Sequence, residues 1–337
     1  MSNDILIWGA GAIGGTVGAW LKRAGYDVTF VDIDRTHVSR INDPEAGLHI
    51  SGMEDFTVTA PAFLPTELSG RWRRIFLAVK AHHTAEAARQ LAPFLQPEGY
   101  VLSLQNGLCE ITLADILGED RIIGAFINFY ADWIGPGEIH YSNRGAAVIG
   151  ELHGEMTPRL AALHQDLRHF EPEVIQSEAL QSWLWGKLAY GSLLFAQATG
   201  DKGIADCLAR RDIRPVLVRL AGEVVQVADA YGIPLRGFNG FDPEAFRRSA
   251  DADRIDHTFE QMVAFNRPNS KTHSGIWRDL AIRRRPTEVD GQLGVVAAMA
   301  ATRHISCPTL QALIAMIHQI EAGERPLSDH NLNELLP

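Results

Sequence analysis

The chain has 337 residues, 46% of them apolar and 21% charged, with a formal net charge of −10. That length exceeds one compact core and fits two domains, and the composition is that of an ordinary globular protein. The acidic balance excludes a nucleic-acid partner, which demands clustered Lys and Arg, and no apolar run approaches the ~20 residues of a membrane-spanning helix.

Strands and helices alternate through the first half. Ile5–Trp8 is a short apolar run ending in glycines, and Gly14–Ala24 reads as a helix stopped by a left-handed Gly25. Val28–Val31 is the next strand, followed by a helix near Thr36–Ile41. Phe56–Ala60 alternates like an edge or crossover strand. Ile75–Val79 and Val101–Leu104 are strands of the buried type, with a helix over Thr84–Phe94 between them. Arg121–Phe129, Glu138–Tyr141 and Ala146–Ile149 add further strands. This order predicts an α/β fold, an N-terminal Rossmann doubly wound parallel sheet over residues 1–174. Helical segments then dominate: Glu178–Thr199, Arg214–Tyr231, Asp253–Phe265, Thr287–Arg303 and Pro308–Gly323. They predict an all-helical domain over residues 175–337 that carries substrate and catalysis.

Other signals narrow the setting. The first residues run straight into a strand without a basic region or cleavage site, so no export signal is expected and the protein reads as cytoplasmic. Cys109, Cys207 and Cys307 fit neither a zinc ribbon nor a redox pair, and suit a reducing compartment. His82-His83 has no carboxylate at ligand spacing, so no metal is expected. The basic run Arg283-Arg284-Arg285 reads as a solvated approach to a helix.

Gly9-Ala10-Gly11-Ala12-Ile13-Gly14 is a G-x-G-x-x-G between a strand and a helix. Its glycines allow a tight turn, backbone approach to a pyrophosphate, and close helix–strand packing. The helix N-terminus then offers free N–H groups to phosphate. Asp32 ends the second strand, eighteen residues beyond Gly14, where a carboxylate accepts both ribose hydroxyls. It would repel the 2′-phosphate of NADP, and Asp34 adds to that charge, whereas Arg35 is the counter-argument. NAD(H) is therefore favoured, with NADP(H) left open.

In Glu178–Thr199 the residues Leu180, Trp183, Leu184, Leu188, Leu194 and Phe195 mark one helix face, and Lys187 falls on it. An ammonium on a dry face is costly, so Lys187 either snorkels at the edge or polarises a carbonyl and donates a proton. Thr287-Glu288-Val289-Asp290 reads as a helix start, with Thr287 and Asp290 as a capping box. Glu288 is either a first-turn acid or a partner for Lys187, and the residues alone leave both readings open.

At this point the chain resembles the ketopantoate reductase (2-dehydropantoate 2-reductase) family. The resemblance rests on Gly9–Gly14, Ala78-Val79-Lys80, Gln105-Asn106-Gly107, Gly135-Pro136-Gly137, Trp185-Gly186-Lys187-Leu188, Arg278-Asp279-Leu280 and Pro286-Thr287-Glu288-Val289-Asp290. It implies that Lys187 is the catalytic lysine, Glu288 the catalytic-site glutamate, and Asn106 a neighbour of nicotinamide and substrate. Lys80 would face the cofactor, and Ser274 lies in the segment that binds the substrate carboxylate. The implied reaction moves a hydride from NAD(P)H to the C2 carbonyl of a 2-oxo acid, giving a D-2-hydroxy acid, with Lys187 as general acid. Members that make pantoate usually carry asparagines four and eight residues after the lysine, where this chain has Gly191 and Phe195. That departure predicts a bulkier, less polar substrate. The competing readings are a true 2-dehydropantoate 2-reductase of pantothenate biosynthesis, with Ser192, Gln197 or Asn128 supplying the missing hydrogen bonds, and a non-catalytic dinucleotide sensor. Retention of both Lys187 and Glu288 argues against the sensor. The apolar helical domain can support a homodimer, but core packing explains its residues equally well.

Overall fold

The first strand, β1 (Asp4–Trp8), is buried at four successive positions, Ile5 to Trp8, as a strand covered on both faces must be. Around it the computed structural model, which describes residues 4–269 and 272–336, builds the elements of a first unit, Met1–Leu180. In chain order these are α1 (Ala12–Arg23), β2 (Asp27–Val31), α2 (Arg35–Asn42), β3 (Leu48–Gly52), β4 (Phe56–Val58), β5 (Ala62–Phe63) and β6 (Trp72–Leu77). They continue as α3 (Thr84–Leu91), β7 (Leu95–Ser103), α4 (Cys109–Leu117), β8 (Ile122–Ile127), β9 (Tyr130–Gly135), β10 (Glu138–Asn143), β11 (Ala147–Glu151), α5 (Pro158–Leu167) and β12 (Ile175–Gln176).

Eight strands form one sheet in the order β12-β11-β8-β7-β6-β1-β2-β5. The chain leaves β1 toward β2 and returns on its other side at β6, with both pairings parallel. That reversal is the switch point at which open α/β sheets bind ligands, beyond the strands' carboxyl ends. The sheet is parallel apart from the β8–β11 pair, which is antiparallel. A second sheet, β4-β3-β10-β9, is not foreseen by the sequence pattern. Its inner strands, β3 and β10, pair in parallel although some ninety residues separate them (Glu138 opposite His49). The sequence places the domain boundary after residue 174, whereas the first unit extends to Leu180. The reason is β12, which adds to the large sheet beside β11.

The second unit, Gln181–Pro337, shows helices and turns over its described residues. Its helices are α6 (Leu180–Gln197, its first residue in the first unit), α7 (Ile204–Ala209), α8 (Arg214–Ala230), α9 (Ala252–Asn266), the single turn α10 (Gly275–Trp277), α11 (Val295–Thr302) and α12 (Pro308–Glu321). α8 packs on α11 and α12. Its Glu223 caps α12 by accepting the Thr309 and Leu310 N–H groups at 3.0 and 2.7 Å. The helix predicted over Thr287–Arg303 forms without a break from Val289 to Thr302, but its first part, Asp290–Gly294, is a π turn that runs into α11, and a separate π turn spans Arg278–Ile282. Such turns concentrate at functional sites.

All three cysteines are free and buried. Burial pushes the Cys207 thiol up to about 12 and the Cys307 thiol up to about 11, the nearby Glu223 adding to the second. The thiolate is the reactive form, so at pH 8 neither should be modified by a disulfide reagent until the protein unfolds. Mass mapping of the labelled native and urea-unfolded chains checks this.

Candidate active site

The three glycines of the first loop do different jobs. Gly9 has a φ of +97°, and a Cβ there would press on Ala78 and Val79 at 3.0 Å. A Cβ on Gly14 would strike the Gly9 carbonyl and Ala78. These two glycines serve packing. Gly11 has an ordinary φ of −67°, and a Cβ there would meet nothing within 4 Å. Its bareness serves no contact within the protein. It leaves room in front of the N-terminus of α1, where Ala12 and Ile13 begin the helix and N–H groups lack intrahelical partners.

Asp32, at the end of β2, accepts the Ala10 N–H on Oδ2 at 2.8 Å and the Asp34 N–H on Oδ1 at 3.0 Å. Each carboxylate oxygen keeps a lone pair for a further donor. Arg35 is exposed and reaches Glu67 at 3.3 Å, a contact of little energetic weight. Lys80 and Asn106, both half-buried, follow the ends of β6 and β7, next to β1 in the sheet. Gln105 ties their loops together, since its Nε2 donates to the Val79 carbonyl at 2.9 Å and to Thr84 Oγ1 at 2.8 Å. Thr84 donates its own proton to the Ala81 carbonyl, which makes the glutamine nitrogen the donor in that pair. The glycine loop, Asp32, Lys80 and Asn106 therefore lie at the carboxyl ends of four adjacent strands.

In the second unit, Lys187 is the only charged side chain among the eighteen residues of α6. The helix is buried nearly all round, so the predicted contrast between a dry and a wet face is absent. Lys187 lies with Trp183 and Leu194 on its half-buried stripe. Gly186 is bare because a Cβ would run into the Arg236 carbonyl oxygen, and the Arg236 N–H bonds the Ser182 carbonyl at 2.9 Å. Gly191 is buried, and a Cβ there would sit 3.9 Å from Gln292 Oε1. Phe195 corrects the sequence reading. It is 0% exposed, lying about 80° around the helix from Lys187, so its ring packs in the core and lines no open surface. Ser192 Oγ donates to Ala189 O, and Gln197 Nε2 donates to Lys202 O. Both are thus committed to local structure. Ser274 caps α10, accepting the Trp277 N–H, and its own N–H reaches Gln197 Oε1 at 3.4 Å. That ties Ser274 to the far end of α6, ten residues or about 15 Å beyond Lys187.

Glu288 is buried, at 8% exposure. The predicted capping box does not form: Thr287 Oγ accepts the Val289 N–H at 3.2 Å, and the carboxylate that Thr287 meets belongs to another helix. The N–H and Oγ of Thr287 both donate to Glu321 Oε1 on α12 at 2.7 Å, while Asp290 turns to His318 at 3.1 Å. The Gln292 N–H donates to the Glu288 carbonyl at 3.0 Å, so Gln292 follows Glu288 by one helical turn. The sequence reading named Gln105 without its bridging role and missed Glu321, Gln292 and His37. Only His37 left a local signal, a polar residue four before Ile41 on the buried face of α2.

A Rossmann sheet with a bare glycine at its switch point and an acid ending the second strand defines a dinucleotide-binding protein. The model for ketopantoate reductase PanE/ApbA matches residues 5–154, and that for its C-terminal domain matches residues 179–321. The chain belongs to the ketopantoate reductase family of oxidoreductases. It is 28% identical over 329 residues to the 2-dehydropantoate 2-reductase of Pyrococcus abyssi, covering 95% of this chain and 98% of that one. An uncharacterized oxidoreductase of Bacillus subtilis is 24% identical over 328 residues, covering 94% and 98%. Among solved structures, a D-mandelate dehydrogenase with NADH and anilino(oxo)acetate superposes with a TM-score of 0.82 at 20% identity, covering 95% of this chain and 99% of that one.

Since a side chain at Gly11 meets no protein atom, Gly11→Val should fold with an unchanged unfolding midpoint. It should nevertheless weaken dinucleotide binding about a hundredfold, roughly 2.7 kcal/mol of lost pyrophosphate contact. Titration of cofactor fluorescence measures the loss. Unchanged binding would move the pyrophosphate elsewhere.

Proposed function

We propose that this chain reduces a 2-oxo acid to a D-2-hydroxy acid, with Lys187 as general acid and NADH as the preferred cofactor. The observation that carries the reading is Lys187 itself, one charge on a helix otherwise buried nearly all round. Desolvating an ammonium is expensive, and such a group is retained where it meets developing negative charge. When bound, the reduced nicotinamide supplies a hydride to the C2 carbonyl carbon. Lys187 gives its proton to the carbonyl oxygen as that oxygen becomes a hydroxyl, and regains one from water. Glu288 orients the ammonium or accepts from the substrate hydroxyl, held in place through Thr287 and Glu321. Gly11, Ala12 and Ile13 face the pyrophosphate on a loop whose shape Gly9 and Gly14 allow, Asp32 takes the ribose hydroxyls, and Lys80 and Asn106 approach the nicotinamide half. Asp32 at the end of β2, a carboxylate that would repel a 2′-phosphate, supports NADH over NADPH.

Two observations support a substrate more polar than the sequence suggests. Phe195 is withdrawn into the core, and the Gln292 amide stands over the space left by Gly191. An amide there suits a 2-oxo acid bearing a hydroxyl, as ketopantoate does.

Lys187→Ala should lower kcat about a hundred- to ten-thousand-fold without changing the Kd for NADH, and Glu288→Gln should be milder. Stopped-flow and steady-state rates with each cofactor test the assignment. Wild-type protein that binds NADH but turns over no 2-oxo acid would leave it a sensor. For specificity, kcat/KM for ketopantoate should exceed that for 2-oxoisovalerate, which lacks the hydroxyl, by about a hundredfold. Gln292→Leu should shrink that ratio, and a wild-type preference for phenylpyruvate would restore the apolar pocket.

A further inference from the structure

We infer that His37 is a positioning residue for the dinucleotide, acting through the peptide between Ala10 and Gly11. The inference rests on the dinucleotide reading of the glycine loop. His37 is 1% exposed, and both of its ring nitrogens are engaged. Nδ1 accepts the Gly137 N–H at 2.9 Å, and Nε2 lies 2.8 Å from the Ala10 carbonyl oxygen. A backbone N–H can only donate, so Nδ1 is the acceptor and the neutral ring carries its proton on Nε2. Nε2–H then donates to Ala10.

The peptide plane converts this contact into control of the site. The Ala10 carbonyl and the Gly11 N–H belong to one rigid planar unit and point in opposite directions. Holding the carbonyl therefore sets the direction of the Gly11 N–H, which precedes the bare space described above. The preceding peptide is held as well, because the Ala10 N–H donates to Asp32 Oδ2 at 2.8 Å. Two consecutive peptide planes of the loop are thus pinned by side chains, one from the end of β2 and one from α2.

The same bond explains a motif that the reaction leaves unused. Gly137 ends Gly135-Pro136-Gly137 in the β9–β10 turn, with a φ of +76° and Arg40 Cβ 2.9 Å from where its own Cβ would stand. Only glycine fits there with its N–H aimed at His37. Ile139, two residues on, leaves no room for a Cβ on Gly15 of α1. The second sheet therefore buttresses the glycine loop, and His37 is the link between them.

The test uses the full chain, with NADH titrated by fluorescence and steady-state rates at varied NADH. His37→Gln keeps a donor at the reach of Nε2, so its Kd for NADH should stay within about threefold of wild type. His37→Asn keeps an acceptor near Nδ1 but falls short of Ala10, and it should bind NADH about tenfold more weakly, as His37→Leu should. In all three, kcat at saturating NADH should hold while KM for NADH follows Kd. A purely structural histidine would instead make affinity follow the unfolding midpoint, with Asn and Gln alike. Equal Kd values for folded Gln and Asn variants, or a loss in kcat with KM unchanged, would overturn the proposal. If the Leu variant does not fold, the comparison of Gln with Asn still decides. Failure of the wild-type chain to bind NADH or NADPH would overturn the dinucleotide reading itself.

Discussion

The proposed recognition of a pyrophosphate by backbone N–H groups would set the terms for the first unit. Those groups are reachable only where no side chain stands in front of them, and useful only where the peptides that carry them are held. Bareness and rigidity conflict, because glycine supplies the first and works against the second. The structure resolves the conflict with groups outside the loop. The end of β6 packs against Gly9 and Gly14, Asp32 takes one amide, and His37 takes the next carbonyl. Gln105 provides the same service for the neighbouring loops of Lys80 and Asn106.

The second unit meets a different constraint, the cost of holding a half-buried ammonium and a buried carboxylate on apolar elements. α6 is almost wholly apolar, and its backbone comes so close to the segment at Arg236 that Gly186 admits no side chain. Lys187 is the residue after this contact, on a part of the helix that cannot shift without breaking it. Glu288 is held otherwise. Glu321 takes both donors of Thr287, and the π turn that follows changes the register before α11. Gln292, in that π turn, comes to stand over Gly191, so an amide missing at position 191 of α6 is present on another element.

The parts legible in the sequence are those whose physics is local. The glycine loop, the left-handed Gly25, the Asp32 that ends β2, and the helices α6, α8, α9 and α12 all come from spacing, since turn chemistry and apolar periodicity act over a few residues. Lys187 is legible because a charge in an apolar helical run is conspicuous. The predicted Thr287–Arg303 helix forms, with a π turn at its start. Two readings fail because they depend on what the chain meets far along its length: Thr287 bonds Glu321 instead of forming a box with Asp290, and Phe195 is buried in the core. The second sheet is invisible for the same reason, since β3 and β10 are edge-like segments until they meet.

By itself, then, the sequence determined that a Rossmann sheet precedes a helical unit, that a dinucleotide loop begins the chain, and that a lone lysine marks α6. Each is set by turn residues, by hydrophobic period, or by the cost of a buried charge, and all of these act within one element. Only the tertiary structure decided which groups hold those residues in place. His37 and Gly137 are one hundred positions apart, Thr287 and Glu321 thirty-four, and Gly191 and Gln292 about a hundred. A hydrogen bond recognises distance in space, not in sequence, so such partners exist only once the chain has folded.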